Sequence, residues 1–95
     1  MRLNKTEVME LINKHGAELR ATAEKLGGVF ITGMDGTVAV IGAQNSKRKV
    51  IFQTGFVSKK ESELLDAQVD MQDLLEDEGI EAISEHDFNI AIGAH

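Results

Sequence analysis

The segment that most constrains the fold is residues 58–78, which has the apolar pattern of one long amphipathic helix. At 100° per residue, its apolar side chains fall within an arc of about 100°: Leu64, Ala67, Met71, Leu74 and Leu75. Such a stripe is typical of a helix that packs against a hydrophobic core. The sequence therefore predicts a principal helix over residues 58–78 with one buried face.

A second arc of this helix, on the side opposite the stripe, is acidic. This acidic row consists of Glu63, Asp66, Asp70, Asp73 and Asp77. Asp is a poor helix former, and like charges three or four residues apart repel each other. Leu65 and Val69 lie beside the row, outside the core stripe. We interpret them either as part of a wider buried face or as a small apolar patch rimmed by carboxylates, the usual layout of a contact surface.

Charge is distributed unevenly along the 95 residues, whose formal net charge is −6. All ten Lys and Arg lie in residues 1–60 with five acidic residues, whereas residues 61–95 contain eleven acidic residues and no Lys or Arg. Two interpretations remain open. Either the two halves attract each other within the folded chain, or the second half presents an acidic surface to a basic partner.

Composition excludes several classes of protein. The chain has no Cys, so it has no disulfide framework, thiolate nucleophile or Cys-based metal site. It has no apolar run of roughly 18 residues or more and no basic segment followed by an apolar one, so neither a membrane span nor a secretory signal is expected. We predict a cytoplasmic protein with a single domain over residues 1–95.

The first part of the chain predicts a second amphipathic helix, over residues 4–26. Asn4 and Glu7 have the spacing of a capping box at its start, and Gly27 is suited to end it. Gly16 lies inside this helix, where glycine is unfavourable. It indicates a kink or a close packing contact.

Residues 28–54 predict a three-strand antiparallel meander. The strands are 29–32, 37–41 and 50–53, with an Asp35-Gly36 hairpin turn and a basic loop over residues 42–49. The strands are apolar on both faces, although one face of such a meander normally meets water. Two helices cover only one face, so we predict a homodimer or a larger partner that covers the other.

After the acidic helix, residues 80–83 predict a short strand. Phe88, Ile90 and Ile92 alternate with smaller or polar residues, which favours a final half-buried strand. A short helix beginning at Ser84 is the alternative, since Ser84 and Asp87 also have capping-box spacing. The predicted class is α+β, a small antiparallel sheet packed by two amphipathic helices in the order α-β-β-β-α-β(-β).

This order resembles that of the YbaB-type nucleoid-associated proteins, which share a helix, a three-strand meander and a following helix. The similar parts are residues 36–40, 48–51 and 64–75, less than half of the chain. The acidic second half departs from what a DNA binder needs. The resemblance implies a topology and does not by itself imply a function.

No residue pattern predicts catalysis. His15 lies on the apolar face of the first helix, His86 and Asp87 are neighbours in a turn, and His95 is terminal. The chain lacks the nucleotide-binding, nucleophile-elbow and zinc-protease motifs. Asp66, Asp70 and Asp73 depart from the calcium-loop spacing and need a second element to enclose a metal. We therefore expect no enzyme, no cofactor and no metal.

The sequence favours a small acidic non-enzymatic interaction or inhibitor protein that binds a basic protein partner, in a phage, mobile-element or immunity-type setting. Carboxylates one helical turn apart, about 5–6 Å, are spaced like successive phosphates, so the row is a candidate nucleic-acid mimic. The predicted contact residues are Glu63, Leu65, Asp66, Val69, Asp70, Asp73 and Asp77.

Two alternatives use the basic loop residues Lys47, Arg48 and Lys49. In the first, a structural or assembly subunit associates with copies of itself through contacts of this loop with the acidic helix. In the second, a nucleoid-type protein binds DNA through the same three cations. The acidic net charge makes nucleic acid the less favoured partner.

Overall fold

A three-stranded antiparallel sheet forms the centre of the computed structural model, which describes residues 3–93. The elements are α1 (Lys5–Lys14), α2 (Gly16–Leu26), β1 (Phe30–Met34), β2 (Thr37–Gln44), β3 (Lys47–Gln53), α3 (Glu61–Asp77) and α4 (Glu85–Ala91). The strand order is β1-β2-β3, so β2 is central and the other two strands are edges. The predicted α+β class, with a helix, a meander and a second long helix, is confirmed.

The single helix predicted over residues 4–26 is wrong, because the chain breaks at His15. The predicted cap is present: the Asn4 side chain accepts a 3.1 Å hydrogen bond from the Glu7 backbone N–H. At His15 the backbone leaves helical geometry, with φ −104° and ψ 14°. Gly16 is buried and begins α2, which ends at Gly27 with a left-handed φ of 88°. The kink that Gly16 indicated is thus a full break between two helices.

Both hairpins have two-residue turns. Asp35 and Gly36 have positive φ values of 51° and 79°, so the predicted first turn is confirmed. The second turn is Asn45-Ser46, with φ values of 55° and 62°. The predicted basic loop over residues 42–49 is therefore wrong. Strands β2 and β3 run to the turn, and Lys47, Arg48 and Lys49 belong to β3.

A β-bulge lies in β3. Ile41 pairs with Val50, whereas its neighbour Val40 pairs with Phe52, so Ile51 is an extra residue. Because of this insertion, Ile51 and Phe52 both join the core cluster on the same side of the sheet. The bulge explains why the apolar run of β3 does not alternate.

The two faces of the sheet have separate cores, and β2 is buried on both. On one face, Val38 and Val40 pack with residues of α1, α2 and α3. On the other face, Ala39 and Ile41 pack with Phe88 and Ile92. Much of the second face is therefore covered by α4 of the same chain.

The final strand predicted from Phe88, Ile90 and Ile92 is wrong, and the alternative helix from Ser84 is the structure. The Ser84 hydroxyl accepts a 3.2 Å hydrogen bond from the Asp87 backbone N–H and caps α4. Phe88 and Ile92 are four residues apart, so they share one helix face. They are 0% and 7% exposed, whereas Ile90 is 55% exposed.

The strand predicted over residues 80–83 reduces to one isolated parallel bridge between Val29 and Ala82. The Val29 N–H donates to the Glu81 carbonyl at 2.9 Å, and the Val29 carbonyl accepts from the Ile83 N–H at 2.8 Å. Gly28 allows this approach, since a β-carbon there would lie 2.7 Å from Ile83 Cγ2. The segment thus pairs with the residue that directly precedes β1.

Helix α3 begins three residues later than predicted. The Ser58 hydroxyl accepts from the Lys60 N–H at 3.0 Å and donates to Glu63 Oε2 at 2.6 Å, and the helix follows at Glu61. Its predicted core stripe is confirmed: Leu64 is half-buried, and Ala67, Met71, Leu74 and Leu75 are buried.

Among residues 3–93, no helix has both the length and the apolar character needed to cross a bilayer.

Candidate interaction surface

The outward face of α3 carries four aspartates, Asp66, Asp70, Asp73 and Asp77, which we call the aspartate row. Asp70 is half-buried and the other three are exposed. Within residues 3–93, none of the four has an ion pair or a side-chain hydrogen bond. Helix α3 also has no basic residue in its last turn, where a cation would offset the helix dipole. Among the described residues, the row is thus a concentration of negative charge without a compensating cation.

Glu63, the fifth member of the predicted acidic row, has a structural contact instead. Its carboxylate accepts the 2.6 Å hydrogen bond from Ser58, in the segment that precedes α3. Ser58 is itself buried. Glu63 therefore helps to fix the start of α3, and the four aspartates form the part of the row that faces outward.

Leu65 and Val69 lie on a different side of α3 from the aspartate row. They are 53% and 56% exposed, and they line a groove of about 340 Å³ with Gln68 and Gln72. We call these four residues the α3 flank. The opposite side of the groove is formed by Ile31 of β1 and by Ile83. None of the four aspartates lines the groove, so the predicted contact residues form two adjacent surfaces.

Sequence analysis missed this groove, because its second side comes from residues far along the chain. One signal was present in the sequence. Strand β1, with the sequence FITGM, contains no charged residue, although it lies at an edge of the sheet, where charged side chains are common.

Two of the three cations predicted as a second contact are engaged within the chain. Arg48 donates to Glu85 Oε2 at 2.9 Å and to Asn89 Oδ1 at 2.7 Å, both on α4. Its guanidinium also lies 5.1 Å from the centroid of the Phe30 ring. Lys49 donates to Glu18 Oε1 of α2 at 2.8 Å. Within residues 3–93, Lys47 has neither an ion pair nor a side-chain hydrogen bond.

These contacts bear on the two interpretations of the charge asymmetry. The Arg48–Glu85 pair joins the basic part of the chain to the acidic part, as the intramolecular interpretation expects. The attraction does not extend to the aspartate row, which has no cation partner within residues 3–93.

The histidines do not assemble with other groups into a reactive cluster within residues 3–93. His15 is half-buried and stacks on Phe52, with ring centroids 5.7 Å apart. His86 is exposed in the first turn of α4. His95 lies outside the described residues. In the described part of the chain, no three His, Asp or Glu side chains are grouped so that they would hold a metal ion.

Comparison with protein-family models, with curated proteins and with solved structures finds no match to this chain. The resemblance in topology to the YbaB-type proteins therefore gains no support from these comparisons.

Proposed function

We propose that this protein is a non-enzymatic interaction protein that binds a basic protein partner through the aspartate row. The observation that carries the proposal is the lack of any cation partner for these four side chains within residues 3–93. Repulsion along the row destabilises α3, and contacts within the described chain do not offset it. Such locally unfavourable choices are typical of functional surfaces.

The geometry of the row also supports inhibition by mimicry of a nucleic-acid backbone. Asp66, Asp70, Asp73 and Asp77 are three or four residues apart on one helix, so successive carboxylates are separated by about 5–6 Å. A line of negative charges with this spacing suits a basic cleft that otherwise holds phosphates, with an affinity that falls as salt rises. The setting we predict is a phage, mobile-element or immunity-type protein in the cytoplasm.

Homodimerisation, charge-driven assembly and DNA binding remain predictions without a specific observation in their favour. A homodimer requires an uncovered second sheet face, whereas α4 covers much of that face. Assembly and DNA binding require free cations at residues 47–49, whereas Arg48 and Lys49 have partners within the chain. The aspartate row is therefore the better supported surface.

The experiment that tests the proposal compares two variants with the same change in charge. In the first, Asp66, Asp70, Asp73 and Asp77 are all changed to Asn. In the control, the exposed Glu10, Glu24 and Glu81 are changed to Gln and the exposed Asp35 to Asn. Each protein is used to capture partners from a lysate of its source cell, and captured proteins are identified by mass spectrometry.

We expect the wild type and the control to capture the same basic protein, with the aspartate-row variant losing it. Capture should also weaken as salt is raised, because the contact is electrostatic. Equal yields of the same partner from all three proteins would refute the proposal, and so would a captured partner without a basic surface.

A further inference from the structure

The outer edge of β1 carries unpaired backbone groups. Val29 uses its outward N–H and carbonyl to pair with residues 81 and 83. Backbone groups of an antiparallel strand alternate in direction, so those of Ile31 and Gly33 also point away from β2. Among residues 3–93, no backbone group pairs with them on that side. The Gly33 carbonyl accepts only a long 3.4 Å hydrogen bond from the Thr32 hydroxyl.

The two edges of the sheet are not protected equally. Strand β3 carries Lys47, Arg48 and Lys49 and contains the bulge, and charged residues and bulges both prevent unwanted strand pairing. Strand β1 contains no charged residue and no bulge. This difference is expected if the β1 edge has a partner and the β3 edge does not.

The groove beside the free edge is long enough for a short added strand. The α3 flank extends from Leu65 to Gln72, about 10 Å along the helix axis, which is the length of about three extended residues. Ile31 lies in the groove wall opposite this flank. A free strand edge next to the side of a helix is the arrangement in which domains bind extended peptides by adding a strand.

We propose that an extended, basic segment of a partner protein enters this groove and adds to β1 as a fourth strand of the sheet. The inference rests on the proposed function and specifies how the basic partner is held. The segment exchanges main-chain hydrogen bonds with Ile31 and Gly33. Its apolar side chains contact Leu65 and Val69, since alternate residues of a strand share a face.

Charge complementarity identifies the segment as basic. Around α3, at 100° per residue, Asp66 and Asp73 lie next to Val69 on the rim of the flank. Residues 61–95 supply no Lys or Arg to neutralise them. Cationic side chains that lie on the same face of the added strand as its apolar residues, before and after them, reach these carboxylates, and an acidic segment is repelled.

A second copy of this chain is a less favourable occupant of the same edge. A twofold axis perpendicular to the sheet would leave both α3 helices on the same face. Since α3 packs on both β1 and β2, the two acidic helices would then lie side by side, and their like charges would repel each other.

The test uses an acetylated and amidated peptide of about seven residues, in which threonine alternates with lysine or valine, so that the lysines and valines share one face. Two further peptides carry N-methyl groups, one on its lysine and valine amides and the other on its threonine amides. Only one of these two sets of amides faces β1, because backbone groups alternate along a strand. Binding to the full chain is measured by calorimetry, and amide exchange at Ile31 and Gly33 is followed by NMR.

We expect the parent peptide to bind and one N-methylated peptide to bind on the order of tenfold more weakly, since it loses its hydrogen bonds to β1. The other N-methylated peptide should bind like the parent. Amide exchange at Ile31 and Gly33 should slow on binding. Val69→Arg should abolish binding, whereas Ile90→Arg should not, although the two side chains are equally exposed at 56% and 55%.

Three results would overturn strand addition: no binding of the parent peptide, equal binding of all three peptides, or binding without slower exchange at Ile31 and Gly33. A dimer in sedimentation experiments that itself slows exchange at these amides would instead assign the edge to a second copy. None of these results would by itself contradict the proposed function. That function is tested by the capture experiment, which depends on the aspartate row and not on binding of a peptide to β1.

Discussion

Leu64 of α3 packs against Gly33 of β1 so closely that a β-carbon on Gly33 would lie 2.6 Å from Leu64 Cδ2. A β-carbon at this distance would force the Leu64 side chain to shift, so glycine permits the approach without a change in packing. The consequence is that α3 lies directly against an edge strand. The α3 flank and the free edge of β1 therefore form the two sides of one groove.

Gly33→Ala should destabilise the protein by about 1–3 kcal/mol, the usual cost of overpacking a well-packed contact. Urea denaturation measures this loss. Gly55→Ala is the matched control, because a β-carbon there would meet no atom closer than 3.6 Å. Gly55→Ala should leave the free energy of unfolding within about 1 kcal/mol of wild type. Equal effects of the two substitutions would show that the close approach is not required.

Phe88→Ala should lower the free energy of unfolding by about 3–5 kcal/mol, because Phe88 is fully buried between α4 and the second sheet face. A loss of this size is a large fraction of the stability of a small domain. Thermal unfolding followed by circular dichroism measures it. The variant should also self-associate in light scattering, since the uncovered face is apolar.

Ile90→Ala is the control for Phe88, since Ile90 is on the same helix and 55% exposed. Its expected effect is within about 0.5 kcal/mol. A tolerated Phe88→Ala change, with no new self-association, would show that α4 is not what covers the second face.

Asp70→Asn should stabilise the protein at low salt. Asp70 lies four residues after Asp66 and three before Asp73, and each repulsive pair removed is worth about 0.2–0.5 kcal/mol. The gain should shrink as salt screens the repulsion. The observable is the unfolding temperature, measured over a range of salt concentrations.

Asp35→Asn supplies the control for this prediction, since Asp35 is exposed in a turn with a left-handed φ of 51°, which Asn also tolerates. It should show no comparable dependence on salt. If Asp70→Asn lowers stability at every salt concentration, the row is compensated and the argument from its repulsion fails.

Arg48→Ala should destabilise the protein by about 1 kcal/mol, because Arg48 joins β3 to α4 through Glu85 and Asn89 and also lies over the ring of Phe30 of β1. Arg48 and Glu85 are substantially exposed, so a double-mutant cycle with Glu85→Gln should give a coupling below about 1 kcal/mol. Lys47→Ala, next to it on the exposed part of β3, should change stability by less than about 0.5 kcal/mol. Equal losses for the two substitutions would mean that these contacts of Arg48 do not stabilise α4.

The sequence by itself determined the features that depend on neighbouring residues. The Asn4 cap follows from a three-residue spacing. The Asp35-Gly36 turn follows from residues that tolerate a left-handed backbone. The core stripe of α3 and the division of charge along the chain also follow from local order, since helical periodicity is a property of consecutive residues.

Only the tertiary structure decided the state of residues 85–91. Phe88, Ile90 and Ile92 fit strand alternation, whereas Phe88 and Ile92 alone fit one face of a helix. A helix of seven residues is not stable in isolation, so burial of Phe88 and Ile92 against the second sheet face selects it. That packing also removed the sequence-based argument for a homodimer.

The surface of α3 was likewise determined at two levels. The sequence placed Leu65, Val69 and the aspartates outside the core stripe, because angular position depends only on spacing. It did not show that Leu65 and Val69 border a strand edge with unpaired backbone groups, because β1 and residue 83 reach them only through folding. The spacing of residues in the sequence thus determines which side chains of α3 face outward. Long-range packing determines which parts of the chain lie beside them.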